Sequence, residues 1–428
     1  MSHIPREPAF DSTVALMRAP YRFIAKRCRR YDSDVFEVRL LLQRTLCMSG
    51  PDASQLFYDA DRFERKKAMP TAIVKTLLGK GAVHGLDGIE HRHRKEILMR
   101  LMTSERISQL VEIAASQWQL AAERWVKQDQ VVLYDASCEV LTRAVCTWAG
   151  VPIDERRIDR RTRMLRLLFD GAGAVGLRHL RSRFARQQAN RWAVNLIEAV
   201  RTRHLDPPDQ TAARVIAEHR DDRGELLPPD VAAVALLNIL RPTVAVAVYV
   251  TLIAHALHEH SDCRQRIAAD ETNYTESFVH EVRRHYPFFP AVAARVRQDF
   301  KWQGYRFPKG RRVLLDLYGT NHDPRTWDAP ERFRPDRFSQ RQSNCFDFIP
   351  QGGGDHCAHH RCAGEWITIA LMKGAAEFLV RGVKYDVPRQ DLRIDYARLP
   401  ALPHSKFKID NISLQTTVID RESPSDCD

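Results

Sequence analysis

The feature that most constrains the fold of this chain is a predominantly apolar segment from Val231 to Ala254, with Arg241 and Pro242 at its centre. The segment is long enough to suggest a transmembrane helix. A central arginine, however, costs about 2.5–3.5 kcal/mol on membrane-insertion scales. We therefore predict a long helix that begins near Asp230, is buried inside a soluble protein, and carries one charge that needs a partner.

Helical periodicity also dominates the rest of the chain as far as residue 285. Alternating residues with Gly and Pro turns predict a small sheet at 299–317, and two further strands near the N-terminus. We therefore predict a mainly α fold with a minor β part, forming one catalytic domain over 1–419 with a polar tail at 420–428. The predicted helices lie from about residue 91 onward and at 113–127, 136–149, 188–204, 209–219, 275–285 and 366–379, and the N-terminal strands at 35–41 and 45–48.

The charge and the cysteines limit the class of protein. The net charge is +12, and its densest region, from Arg156 to Arg191, interleaves Arg with apolar residues at helical spacing. We interpret this region as a solvated helix face rather than a membrane-surface or fatty-acid-attracting face or a nucleic-acid site. The nine cysteines are scattered and the N-terminus is polar. A disulfide scaffold is therefore not expected, and we predict a cytoplasmic protein without an integral membrane span.

A glycine-rich loop containing a cysteine directly precedes the last predicted helix. It runs from Phe348 to Glu365 and reads FIPQGGGDHCAHHRCAGE. The glycines allow close approach to a flat cofactor. The positive end of the following helix would stabilise a thiolate at Cys362, which is the form that ligates haem iron. A Gly-rich turn without chemistry and a zinc site remain as alternatives; the zinc site would use Cys357, Cys362, His356, His359 and His360.

Two upstream motifs support the haem interpretation. Glu281 and Arg284 share one helix face in an E-x-x-R pattern, and ERFRPDRF follows at 331–338. An E-x-x-R helix, a P-D-R-F turn and a C-x-G loop, in this order, resemble the cytochrome P450 family. The resemblance implies the P450 fold and haem b. It also implies a structural charge network of Glu281, Arg284 and Arg337, and Cys362 rather than Cys357 as the proximal ligand.

The central helix points to a subgroup. Most family members carry an acid–alcohol pair there, whereas this chain has Asn238-Ile-Leu-Arg241-Pro242-Thr243 and no acid before the threonine. The chain resembles the bacterial fatty-acid peroxygenases over nearly its whole length, in the stretches FIAKRCRRYDSDVFEVRLL, VHGLDG, HRHRK, LLNILRP, FVHEVRRHYPFFP and FIPQGGGDH…HRCAGE. The resemblance implies that Arg241 and Pro242 lie over the haem and that Arg241 binds a fatty-acid carboxylate. It implies hydrogen peroxide as co-substrate, no redox partner, and hydroxylation at Cα or Cβ with some decarboxylation. An Arg241 paired with a protein acid or a haem propionate remains the structural alternative.

Further site residues follow from the same resemblance. The chain has His84 where decarboxylating members carry His and hydroxylases commonly carry Gln, so His84 is expected to donate a proton or stabilise a radical route. His91, Lys95 and His360 match positions that contact haem propionates, with Arg94 as an alternative to Lys95. Leu78, Ala172 and Ala291 replace phenylalanines of better-known members and are expected to widen the pocket, which Phe288 also lines. For Phe289 a core position is preferred.

Two other functions stay open at this stage. One is a conventional monooxygenase supplied with electrons by ferredoxin or flavodoxin. The other is a haem-binding sensor or carrier without turnover. The missing acid–alcohol pair argues against the first, and the predicted carboxylate-binding Arg241 argues against the second.

Overall fold

The computed structural model describes residues 4–221, 223–341 and 344–415. The tail predicted at 420–428 lies outside the described residues. The helices are α1 (Thr13–Arg18), α2 (Phe23–Tyr31), α3 (Pro51–Phe57), α4 (Thr71–Ile73), α5 (Gly88–Arg100), α6 (Ser104–Trp125), α7 (Leu133–Trp148), α8 (Ile158–Asp170), α9 (Gly176–Arg201), α10 (Ala212–Ala217), α11 (Pro229–Glu259), α12 (Ser261–Ala268), α13 (Tyr274–His285), α14 (Leu317–Thr320) and α15 (Glu365–Glu377). A π-helical turn, Val74–Leu78, continues α4.

The strands form three small sheets. They are β1 (Val35–Leu40), β2 (Gln43–Met48), β3 (Phe63–Glu64), β4 (Gln130–Val132), β5 (Ala291–Val296), β6 (Phe300–Trp302), β7 (Tyr305–Phe307), β8 (Arg312–Asp316), β9 (Val383–Asp386) and β10 (Lys408–Leu414). The largest sheet has the order β1-β2-β8-β5-β3, with β2 and β8 parallel and its other neighbours antiparallel. The mainly α fold with a minor β part is confirmed.

The predicted central helix is α11, and it is almost entirely buried. It packs against α7, α8, α9 and α15, because its apolar side chains leave no polar face to present to water. Among the described residues it is the one helix that is long and apolar enough to cross a membrane, and 78% of its most apolar window is buried inside the protein. Pro228, not Asp230, is the residue that precedes the first turn.

The predicted charge network lies in the core beneath α15. The Glu281 carboxylate accepts hydrogen bonds from Arg284 Nε and Nη2, both at 2.8 Å. Arg337 Nε lies 3.1 Å from the same carboxylate, and the backbone N–H of Arg334 donates to it at 2.8 Å. The buried charges of Glu281, Arg284 and Arg337 are thereby paired with one another, as burial requires. The network predicted for Glu281, Arg284 and Arg337 is confirmed.

Other sequence predictions needed correction. Residues 209–219 give only the short helix α10, because Pro207 and Pro208 and the turn after them delay its start to Ala212. The strand β5 begins at Ala291, before the sheet region predicted at 299–317. The arginine-rich region is not solvated throughout, since Arg186 is buried within it.

Candidate active site

A cavity of about 310 Å³ separates α11 from the cysteine loop. Its lining combines residues of α5, α11, the π turn at Val74–Leu78, the start of β5 and the loop before α15. Most of the lining surface is apolar, and among the described residues no Asp or Glu contributes to it. The cavity is thus suited to a flat apolar group and a long apolar ligand, and the described residues supply no carboxylic acid there.

Cys362 lies in this cavity, three residues before the first residue of α15. Its backbone N–H donates to the carbonyl of Gln351 at 3.1 Å, which fixes the loop. Burial raises the pKa of the Cys362 thiol, and Glu365 adds to the increase. The N–H of Gly364 and the Lys95 ammonium act in the opposite direction but do not outweigh burial. The backbone N–H at the start of the following helix therefore does not by itself offset burial of the thiol, and coordination to a metal cation would favour the thiolate.

The histidines of the loop have structural partners. His356 Nε2 lies 2.9 Å from Glu365 Oε2, and His359 Nδ1 accepts from the backbone N–H of Asp355 at 2.8 Å. The ring of His360 lies 3.9 Å from that of His91, between centroids. Within the part of the chain that the structure describes, no three metal-ligating side chains converge. The described residues of the loop therefore form no zinc site. Cys357, which the zinc alternative would use, is exposed to solvent.

Cationic and imidazole side chains line one wall of the cavity. His91 and Lys95, one turn apart on α5, are both buried there, as is Arg65. Lys95 Nζ donates to the carbonyls of His359 and Arg361 in the cysteine loop. Burial lowers the pKa of Arg65 to about 10, lowers that of His91 to about 4, and lowers that of Lys95. Arg65 was not foreseen, because nothing in its local sequence distinguishes it from a surface arginine.

These residues fit haem. Haem needs an axial donor, an apolar slot and cationic partners for its two propionates, and Cys362, the lining and the Arg65–Lys95 wall offer all three. His84 also lines this cavity, so a group that fills the cavity would cover part of its surface.

Arg241 brings an unpaired charge into the cavity. Its guanidinium donates to Leu77 O at 2.6 Å and to Asn238 Oδ1 at 3.2 Å, and its Nε has no partner. Among the described residues no carboxylate lies within ion-pair distance of it. Burial, followed by the nearby charge of Arg186, lowers the pKa of Arg241 to about 9. The guanidinium remains charged at neutral pH, and among the described residues no anion compensates it.

His84 lies in the 3₁₀ turn Val83–Gly85 and lines the same cavity. Burial and the positive charge of Arg241 lower the pKa of His84 to about 3. The imidazole is therefore neutral near pH 7. It can accept or donate a hydrogen bond inside the cavity, and its part in proton transfer stays a prediction.

Most of the predicted pocket residues line the cavity: Leu78, Pro242, Phe288 and Ala291, together with His360. Phe289, for which a core position was preferred, packs against the core but also lines the cavity. The ring of Phe288 stacks on Tyr249, with a centroid distance of 4.5 Å. Two predicted residues lie elsewhere. Ala172 belongs to the hydrophobic core, because the chain turns away after α8 and leaves Phe169 on the cavity wall instead. Arg94 lines a separate small cavity of about 10 Å³ and does not reach the large one.

A half-buried cysteine lining an apolar cavity under a long core helix, in a chain that also carries a buried Glu-Arg-Arg network, defines a haem-thiolate protein. A sequence model of the family "Cytochrome P450" matches residues 253–406. A structure of cytochrome P450SP alpha (CYP152B1) in complex with (R)-ibuprophen is 52% identical, with a TM-score of 0.93, and the match covers 94% of this chain and 99% of that one.

Two further structures match over nearly the full length. Cytochrome P450EX alpha (CYP152N1) with myristic acid is 44% identical, with a TM-score of 0.94, over 97% of this chain and 100% of that one. A variant of cytochrome P450 OleT in complex with arachidonic acid is 33% identical, with a TM-score of 0.94, over 98% and 100%. The chain belongs to the cytochrome P450 family and is similar to these three members throughout.

Proposed function

We propose that this protein is a hydrogen-peroxide-dependent peroxygenase of fatty acids, which hydroxylates Cα or Cβ and decarboxylates part of its substrate to a terminal alkene. The observation that carries the proposal is the buried guanidinium of Arg241, which shares a cavity with Cys362 and has no carboxylate partner among the described residues. A fatty acid supplies the missing negative charge with its carboxylate and fills the apolar cavity with its chain.

The ligands of the related structures support a carboxylate at this position. Myristic acid and arachidonic acid, bound to P450EX alpha and OleT, are fatty acids. The (R)-ibuprophen bound to P450SP alpha is also a carboxylic acid. Three ligands of different shape thus share one functional group, and Arg241 is the cavity residue of this chain that fits that group.

Haem b held by Cys362 supplies the activation of the peroxide O–O bond and the oxidising power for the substrate C–H bond. The protein's own residues position the substrate and the haem. Arg241 holds the carboxylate, so that Cα and Cβ are the carbons nearest to it, and Pro242 follows in the cavity-facing turn of α11. Arg65, His91, Lys95 and His360 hold the propionate edge.

The substrate carboxylate carries out the proton transfers in this proposal. The hydroxyl of Thr243 donates to the carbonyl of Ile239 at 2.9 Å, so it is already engaged in its own helix. No acidic side chain of the described residues lines the cavity. The carboxylate held by Arg241 is then the group that takes a proton from hydrogen peroxide and returns it to the departing oxygen, as a general acid–base. Neutral His84 orients peroxide or carboxylate by a hydrogen bond, which biases the ratio of products.

Residues 1–419 act in this proposal as one cytoplasmic catalytic domain that needs no redox partner, membrane or nucleic acid. The test is to incubate the purified holoenzyme with hydrogen peroxide and fatty acids of graded chain length, without any reductase, and to identify products by mass spectrometry. We expect 2- and 3-hydroxy acids and some terminal alkene. Turnover only with ferredoxin or flavodoxin and its reductase would favour the conventional monooxygenase instead. Fatty-acid binding without product under any oxidant would favour a sensor or carrier.

A further inference from the structure

A second buried cation lies behind the cavity wall. Arg186 of α9 is 3% exposed, and its Nη1 and Nη2 donate to the carbonyls of Leu77 and Leu78, each at 3.4 Å. Its Nε has no partner, and no carboxylate of the described residues lies within ion-pair distance. Burial lowers the pKa of Arg186 to about 10, so the guanidinium is charged at neutral pH. An uncompensated buried charge is costly, and it calls for an explanation.

The carbonyl of Leu77 connects this cation to Arg241. It accepts from Arg241 Nη1 at 2.6 Å and from Arg186 Nη1 at 3.4 Å. Leu77 and Leu78 line the cavity, whereas Arg186 does not. One peptide of the π turn therefore joins two guanidinium groups, one facing the cavity and one behind its wall, and neither has an anion within the described chain.

The contact between Arg186 and the wall is close. Gly79 follows the π turn with a φ of +92°, and a Cβ at this position would lie 1.9 Å from Arg186 Nη2. The guanidinium is therefore packed directly against the backbone that carries Leu77 and Leu78. A side chain held in this way restrains the wall, and the wall in turn restrains Arg241.

We infer that Arg186 is a positioning residue that makes the Arg241 site selective for ionised carboxylates. It fixes the Leu77–Leu78 carbonyls, and the Leu77 carbonyl in turn anchors Arg241 through Nη1. Its own charge adds to that of Arg241, and only an anion neutralises the pair. The inference deepens the proposed function and rests on the binding of a carboxylate at Arg241.

The test compares haem-loaded wild type with Arg186→Met and Arg186→Lys, using myristic acid as the probe and the spin-state change of the haem spectrum as the readout. Methionine removes the charge at similar length, and lysine retains it. Because Arg186 has no acidic partner in the part of the chain that the structure describes, its replacement by an apolar residue is expected to leave the protein folded. If the Met variant does not take up haem, Arg186→Gln replaces it as the uncharged variant in the same comparison.

We expect the Met variant to bind myristic acid about tenfold more weakly, because the positive charge behind the wall and its restraint on the Leu77 carbonyl are lost. The Lys variant should stay within about threefold of wild type. Arg183→Gln, an exposed position of the same helix, should bind like wild type. Imidazole binding to the iron should be equal in all variants, which reports an intact haem pocket. Unchanged affinity in the Met variant, or equal losses in Met and Lys, would overturn the inference. Absence of myristic-acid binding and peroxide turnover in wild type would instead refute the proposed function.

Discussion

Replacement of Arg241 by methionine separates the contribution of the guanidinium to the fold from its contribution to ligand binding. Arg241 is 5% exposed, donates two hydrogen bonds, and has no acidic partner among the described residues. Its pKa is lowered to about 9, so the charge at pH 7 costs the folded, ligand-free protein several kcal/mol. The two lost hydrogen bonds cost about 0.5–1.5 kcal/mol each. We therefore expect the free energy of unfolding of Arg241→Met to be equal to that of wild type or higher.

The effect on the ligand should be opposite in sign. Loss of a buried charge-assisted contact to a carboxylate costs about 3 kcal/mol, which is roughly a hundredfold in Kd. Fatty-acid affinity is measured by titration of the haem spectrum, and stability by chemical denaturation of the same samples. Peroxide-dependent turnover should fall at least as far as the affinity, because the carboxylate is also the proposed acid–base. A variant that binds myristic acid like wild type, or that loses haem and unfolds, would show that Arg241 is structural and refute the reasoning.

Three further predictions concern product ratio, the buried network and pH. His84→Gln should lower the ratio of alkene to hydroxy acid while leaving fatty-acid affinity within about threefold, and an unchanged ratio by mass spectrometry would remove the role proposed for His84. Glu281→Gln should destabilise the protein by about 3–5 kcal/mol, since Arg284 and Arg337 lose their shared anion; denaturation would detect this, and wild-type stability would contradict it. Burial lowers the pKa of His285 to about 3, so the unfolded chain binds the proton more readily between that value and the ordinary pKa near 6.5. Stability should therefore fall as pH drops through this window, by up to about 1.4 kcal/mol per pH unit, and His285→Phe should reduce that slope.

The local chemistry of the site could be predicted from the sequence. Cys362 between a Gly-rich loop and a helix, Glu281 one helical turn before Arg284, and Arg241 inside an apolar helix are patterns of neighbouring residues. Spacing along a helix or loop is determined by backbone geometry, so such patterns indicate chemistry before any tertiary contact is known. The mainly α fold followed from the same periodicities.

Long-range packing decided the rest. The arginines of 156–191 have similar local sequences, yet α9 buries Arg186 against the π turn that carries Leu77, more than a hundred residues earlier. Arg65 reaches the cavity wall, Arg94 lines a different small cavity, and Phe169 lies on the wall where Ala172 was expected. The sequence by itself determined which groups could bind iron and a carboxylate. Only the tertiary structure decided which cations lack an anion, because burial depends on neighbours that are distant in the chain.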